Sequence, residues 1–170
     1  MNGNTVPNGH IADLLEPADW AQNPNPTQPW TYFVYANPVS FCHQHAELYQ
    51  RSSNPEMYNP TTFNNLTHMG DKVSHIVVTV MQRGDLPKIP AFEEVAATAA
   101  AIQNILLGDT ALNMASFWST GGMTLRPEMK DFLQLREEDQ VMGILYLGYA
   151  DEQPEGKRKV PVEDKVIWME

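Results

Sequence analysis

Cysteine is nearly absent from this chain: Cys42 is the only one among 170 residues. A single thiol forms no intrachain disulfide, and without neighbouring cysteines it builds no thiolate zinc site. Basic residues are scarce too. Eleven Lys and Arg stand against 21 Asp and Glu, a formal charge of −10. A phosphate backbone needs a cationic face, so this balance speaks against nucleic acid as a partner. Long apolar runs are also missing. The longest, Val141 to Ala150, is too short to span a bilayer. Met1 to Gly9 has neither a basic residue nor an apolar core and does not read as a secretory signal. These absences lead to the expectation of a soluble cytoplasmic protein without a membrane partner. What is present is ordinary globular chemistry, with 42% apolar and 19% charged residues. The length suits one domain over residues 1–170 with a core of its own.

Thirteen prolines and ten glycines divide the chain into segments. His10 to Ala21 has apolar residues near helical spacing, interrupted by Pro17, which predicts a short or kinked helix. Gln22 to Pro29 holds three prolines and two asparagines and reads as a loop. Trp30 to Ala36 is aromatic and β-branched, the composition of a strand. Helices are expected over Phe41–Gln50 and Thr61–Lys72, and Ser74–Met81 reads as the clearest buried strand. Gly84 to Pro90 is a turn. A long helix then covers Ala91 to about Leu107, with Phe92, Val95, Ala96, Ala99, Ile102, Ile105 and Leu106 expected on its buried stripe.

Ser116 to Thr120 reads as a short strand ending in Gly121-Gly122. A helix over Arg126–Leu133 carries Pro127 in its first turn, where proline is tolerated. Gln140 to Tyr149 is a second buried strand. Residues 150–170 form a charged C-terminal extension ending in Val166-Ile167-Trp168, an apolar patch that a tail does not bury by itself. Residues 1–9 are expected to be flexible. The overall expectation is an α+β fold of about four strands covered by helices.

Several stretches together resemble the nitroreductase family of flavin-dependent oxidoreductases. Thr27-Gln28-Pro29-Trp30-Thr31-Tyr32-Phe33-Val34 is similar to its loop-to-strand signature. The helix from Glu93 to Leu107, the run Ser116 to Gly122 and the strand Val141 to Ala150 follow in the family's order. The basic cluster Gly156-Lys157-Arg158-Lys159-Val160-Pro161 comes last. The resemblance implies a mainly antiparallel sheet flanked by helices, and a homodimer with the C-terminal tail extending onto its partner. It also implies FMN at the dimer interface, with NADH or NADPH as electron donor and nitroaromatics, quinones or other planar molecules as acceptors. The flavin carries the chemistry, in keeping with a sequence that shows no acid–base pair or nucleophile triad.

Three elements become candidate flavin contacts. Lys157, Arg158 and Lys159 form the only three-residue basic run. Alone it reads as a solvated turn, whereas the resemblance places Arg158 where the flavin phosphate is held, by charge-assisted bonds. Trp118, Ser119, Thr120 and Gly121 lead into a glycine pair that lets backbone N–H groups approach a ligand. The same residues also suit a plain β-turn, and Trp118 suits a core position. In the loop before Trp30, the resemblance assigns Trp20, Asn23 and Pro24 to the flavin of the neighbouring subunit, and a proline-stiffened surface loop is the other reading. The family opens with an Arg-Arg-Ser or Arg-Ser element on the flavin phosphate, and Met1–Gly9 contains neither residue. The chain therefore reads as an N-terminally shortened member, with a weakly binding or flavin-free dimeric module as the alternative function.

Other features carry less. His43 and His45 point to different faces of a helix, a poor arrangement for joint metal ligation, and no metal site is expected. His75 reads as a structural histidine, Cys42 as a packed small hydrophobe, and Met57, Met69 and Met123 as gap-fillers.

Overall fold

The structure, a computed structural model, describes residues 1–23, 27–152 and 156–169. Side-chain alternation along two apolar strands decides its layers. Strand β1 is Trp30–Tyr35, β2 is His75–Met81, β3 is Ala115–Ser119 and β4 is Gln140–Gly148. They form one sheet in the order β1-β2-β4-β3, with every neighbouring pair antiparallel. All seven residues of β2 are buried, because both faces of the sheet are covered. Successive side chains point to opposite faces. Val77, Leu145 and Leu147 therefore join one core cluster, while Ile76, Val78, Ile144 and Tyr146 join the other.

Helix α1 (Asn8–Asp19) and helix α4 (Ala91–Ala111) cover the first face, through Ile11, Leu14, Ala101, Ile102 and Ile105. Helix α2 (Pro38–Ser52) and helix α5 (Pro127–Phe132) cover the second, through Phe41, Cys42, Leu48 and Met129. Helix α3 (Pro60–His68) packs on α2. This α+β sandwich with a four-stranded antiparallel sheet is the architecture expected from sequence.

Two local expectations need correcting. On α4 the buried face runs through Glu94, Ala97, Thr98, Ala101, Ile102, Ile105 and Asp109, while Phe92 lies 77% exposed. Polar residues take inner positions because each finds a partner. Glu94 is bonded by the Arg83 guanidinium and by the Gly84 N–H, the latter at 3.1 Å. Asp109 accepts from Ser116 Oγ at 2.8 Å. Only Ile102 and Ile105 of the expected stripe are fully inside. The N-terminal segment, expected to be loose, is tied along the sheet. Asn2 donates its N–H to the Tyr149 carbonyl at 2.8 Å, and Val6, fully buried, donates to Ser74 Oγ at 2.7 Å.

Pro17 lies inside α1, which runs on to Asp19. It sits in the last turn, and the amides of Trp20 and Ala21 close that turn on the Pro17 and Ala18 carbonyls. At the other terminus Ile167 and Trp168 are 84% and 89% exposed after a 3-10 turn at Glu163–Lys165.

Candidate functional site

The turn after β3 is held from four sides. Ser119 Oγ accepts from the Gly121 N–H at 3.2 Å, and Thr124 Oγ1 donates to the Gly121 carbonyl at 2.6 Å. Beneath them, Met123 donates its N–H to His45 Nε2 at 2.9 Å. Gly122 is left-handed, with φ +62°. A Cβ there would lie 2.9 Å from Leu66 Cδ2 and 3.0 Å from His45 Nε2, so only glycine fits. On the outer side Thr120, Gly121 and Gly122 are exposed. Ser119, Thr120 and Gly121 thus present an over-determined backbone toward open space.

Trp118 takes part in a second constraint. Between Thr79 and Val80 the β2–β4 register slips, leaving Met142 as an extra residue. The Met142 carbonyl accepts from Trp118 Nε1 at 3.2 Å. A Cβ on Gly143 would lie 2.0 Å from that nitrogen. The indole therefore lies against bare backbone and half-covers the edge of the sheet, neither a core residue nor a free one.

His45 is the buried titratable group under the turn. Burial pushes its imidazole down to about 4. Because Nε2 accepts a hydrogen bond, the ring proton resides on Nδ1, which has no partner among the described residues. Cys42, three positions earlier on α2, has its thiol pushed up to about 11, chiefly by burial. It is an inert packed side chain. His75 is bonded by Ser74 Oγ at 2.9 Å and Asn8 Oδ1 at 3.0 Å, the structural role expected of it. Among the described residues no group of three His, Cys, Asp or Glu is arranged to hold a metal ion.

The other candidate residues stand apart from the turn. Trp20 is 84% exposed at the end of α1. With Asn23, Gln28 and Trp30 it borders a hollow of about 470 Å³. Asn23 Nδ2 donates to Thr27 Oγ1 at 3.4 Å, and Trp30 Nε1 donates to Asp19 Oδ1 at 2.8 Å, which anchors the strand entry to the helix. Pro24 lies outside the described residues. Arg158 shares a hollow of about 460 Å³ with Val160, Pro161, Val162 and Lys165. No residue of the glycine turn borders it. Gly122 and Met123 border a third pocket of about 450 Å³, with Tyr49, Ser52, Met57, Arg126 and Glu128. Within one chain, then, the turn, the loop and the basic cluster open on separate hollows.

Sequence reasoning missed His45 as the support of the turn and Arg126 as the cation beside it. His45 and Met123 are 78 residues apart, and no local signal joins them. Arg126 was visible only as the residue before Pro127.

A helix-covered four-stranded antiparallel sheet, with a glycine turn at the end of its edge strand, defines a known class. The chain belongs to the nitroreductase family, whose model matches residues 2–149. It is similar to the Bacillus subtilis protein named "Putative NAD(P)H nitroreductase YfhC". The two are 25% identical over 166 residues, covering 96% of this chain and 84% of that one. The structure of a nitroreductase-like family protein from Bacillus cereus superposes with a TM-score of 0.86 at 25% identity, over 100% of this chain and 89% of that one. A nitroreductase from Bacteroides fragilis, solved with bound FMN, shares the fold with a TM-score of 0.68 at 19% identity, over 99% and 91%. No helix of the described residues is long and apolar enough to cross a membrane.

Proposed function

We propose that this protein is an FMN-dependent oxidoreductase that works as a homodimer in the cytoplasm. It takes hydride from NADH or NADPH and passes electrons to nitroaromatics, quinones or similar planar acceptors. Family membership supports oxidoreduction in general. The observation that carries the finer reading is the Ser119–Gly122 turn, rigid beneath and open above. A Cβ on Gly121 would meet nothing nearer than its own turn's Ser119 Oγ at 3.6 Å, so a flat ring can approach the backbone closely.

The residues fit the group. Arg158 and Lys165 flank one hollow, and among the described residues no carboxylate lines it, which suits a phosphate dianion. The open turn suits the edge of the ring. Because the two lie in different hollows of one chain, a flavin touching both draws on two copies, which supports a shared site. The exposed Ile167 and Trp168 are the apolar surface available for pairing. In this reading residues 1–149 carry the fold of a single domain and residues 150–170 extend onto the partner.

When bound, FMN supplies the hydride-accepting and electron-donating chemistry. The chain supplies position. Arg158 binds the phosphate, and Ser119, Thr120 and Gly121 present backbone to the ring edge, with Trp118 beside them. Trp20, Asn23 and Pro24 cover the ring of the neighbouring copy. His45 stays neutral and holds the turn in register.

The test is direct. Purified protein is expected to be yellow, with about one FMN per chain, and to oxidise NADH or NADPH when a quinone or nitroaromatic is present. A colourless preparation that excess FMN does not reconstitute overturns the reading in favour of a dimeric module without flavin.

A further inference from the structure

Two polar side chains on the inner face of α4, Glu94 and Thr98, both act on the segment that leads into β1. Glu94, 1% exposed, uses both carboxylate oxygens. The Arg83 guanidinium bonds Oε2, and the Gly84 N–H donates to Oε1 at 3.1 Å. Arg83 is fixed in turn: its guanidinium donates to the Ile89 carbonyl, and its backbone N–H to Asp139 Oδ1 at 2.9 Å. A Cβ on Gly84 would lie 2.8 Å from Glu94 Oε1 and 3.4 Å from Thr27 Cγ2, so the carboxylate and the Thr27 methyl meet at that bare backbone. Thr98, one turn further along and fully buried, donates its hydroxyl to the Glu94 carbonyl at 2.8 Å and reaches the Pro29 carbonyl at 3.4 Å. The Pro29 carbonyl also accepts from the Gln82 N–H at 2.7 Å.

Thr27 and Pro29 are thus held from the same edge of α4. Between them Gln28 is left-handed, with φ +41°. A residue other than glycine keeps that conformation only where its surroundings over-determine it. The buried pair Arg83–Glu94 points the same way. Desolvating two charges offsets much of their attraction, and apolar side chains of similar volume stabilise a fold as well or better. A positional role accounts for charges at this place. What the bracket positions is the border of the hollow beside Trp20: Gln28 and Asn23 both line it, and the Asn23 amide donates to Thr27 Oγ1.

We propose that Glu94 and Thr98 are positioning residues, which bracket Thr27 and Pro29 and so set where Asn23 meets the flavin of the neighbouring copy. The inference rests on the oxidoreductase reading above, which assigns Asn23 to that ring. Both residues are buried and act only through the segment they hold.

Thr98→Val keeps the side-chain shape and removes the hydroxyl, while Pro29 retains its bond from Gln82. Thr98→Ser restores the hydroxyl. Glu94→Gln keeps an acceptor for Gly84 and removes the charge that faces Arg83. Hydrogen exchange followed by mass spectrometry, on purified protein without added FMN, reads the bracket, and fluorescence titration with FMN reads the site. In Thr98→Val and Glu94→Gln the peptide covering residues 20–30 is expected to exchange about two- to ten-fold faster, the effect of one lost hydrogen bond, with β2 and β4 unchanged. FMN affinity falls by a similar factor, and Thr98→Ser recovers both values. Exchange at the wild-type level in that peptide, or a rise across the whole sheet, overturns the bracket. Faster local exchange with unaltered FMN affinity overturns its link to the site. If Glu94→Gln does not fold, the two Thr98 variants decide alone. Failure of the oxidoreductase reading looks different: the wild-type chain holds no FMN, and the exchange measurement still decides the bracket.

Discussion

Met123 donates its backbone N–H to His45 Nε2 at 2.9 Å, joining the end of the glycine turn to the middle of α2. The bond needs a neutral imidazole, and burial lowers the folded pKa to about 4 from 6.5. Between those values the unfolded chain binds more protons than the folded one, so stability rises with pH. His45's contribution is therefore complete above about pH 6.5 and is lost as pH falls toward 4. His45→Leu leaves the buried Met123 N–H unpaired. The expected cost is about 1–3 kcal/mol in urea denaturation at pH 7, with a shallower loss of stability from pH 6.5 to 4 than in the wild type.

Gly143 and Trp118 form a comparable pair on the sheet. In Gly143→Ala the new methyl would overlap the indole, 2.0 Å from Nε1, so Trp118 has to leave its place and release the Met142 carbonyl. Overpacking of this kind costs roughly 1–3 kcal/mol. Tryptophan fluorescence should shift together with the urea midpoint. An unchanged spectrum would show that the indole does not rest on that backbone.

Arg158 is assigned to the flavin phosphate. Arg158→Ala removes one charge-assisted bond, a loss of roughly ten- to a hundred-fold in FMN affinity. Flavin absorbance per chain after gel filtration reads the effect, and flavin content equal to wild type would exclude the assignment.

Trp168, 89% exposed, is assigned to the partner surface with Ile167. Trp168→Asp should shift the protein from dimer toward monomer in sedimentation, without lowering the urea midpoint of the folded monomer. Under the proposed two-copy site, flavin content should fall in parallel. A wild-type chain that sediments as a monomer at micromolar concentration would rule out a site built from two copies.

The strands were legible because their signal is local. Trp30–Tyr35, His75–Met81 and Gln140–Gly148 announce themselves by β-branched and aromatic residues between turn formers, and each lies within a residue or two of its expected bounds. The buried face of α4 was not legible. Apolar periodicity favoured Phe92 and Val95, but inner positions went to Glu94 and Asp109, whose partners Arg83, Gly84 and Ser116 lie outside the helix, and to Thr98, which donates to the Glu94 and Pro29 carbonyls. A buried carboxylate is acceptable only when such partners exist, and periodicity does not see them. The contiguous run Trp118 to Gly121 could be found as a candidate site from its residues and its resemblance. The support under it, His45, could be weighed in sequence only as a metal ligand and was set aside.

By itself, the sequence determined which segments are helix and strand, that no disulfide framework is available, and that the chain is acidic and short of long apolar runs. Those properties depend on composition and on neighbours a few residues apart. Tertiary structure decided that Gly122 and Gly143 are required and that His45 is neutral. Each is a relation between groups distant along the chain, and close packing and desolvation act on such groups only once the fold has brought them within a few ångströms of each other.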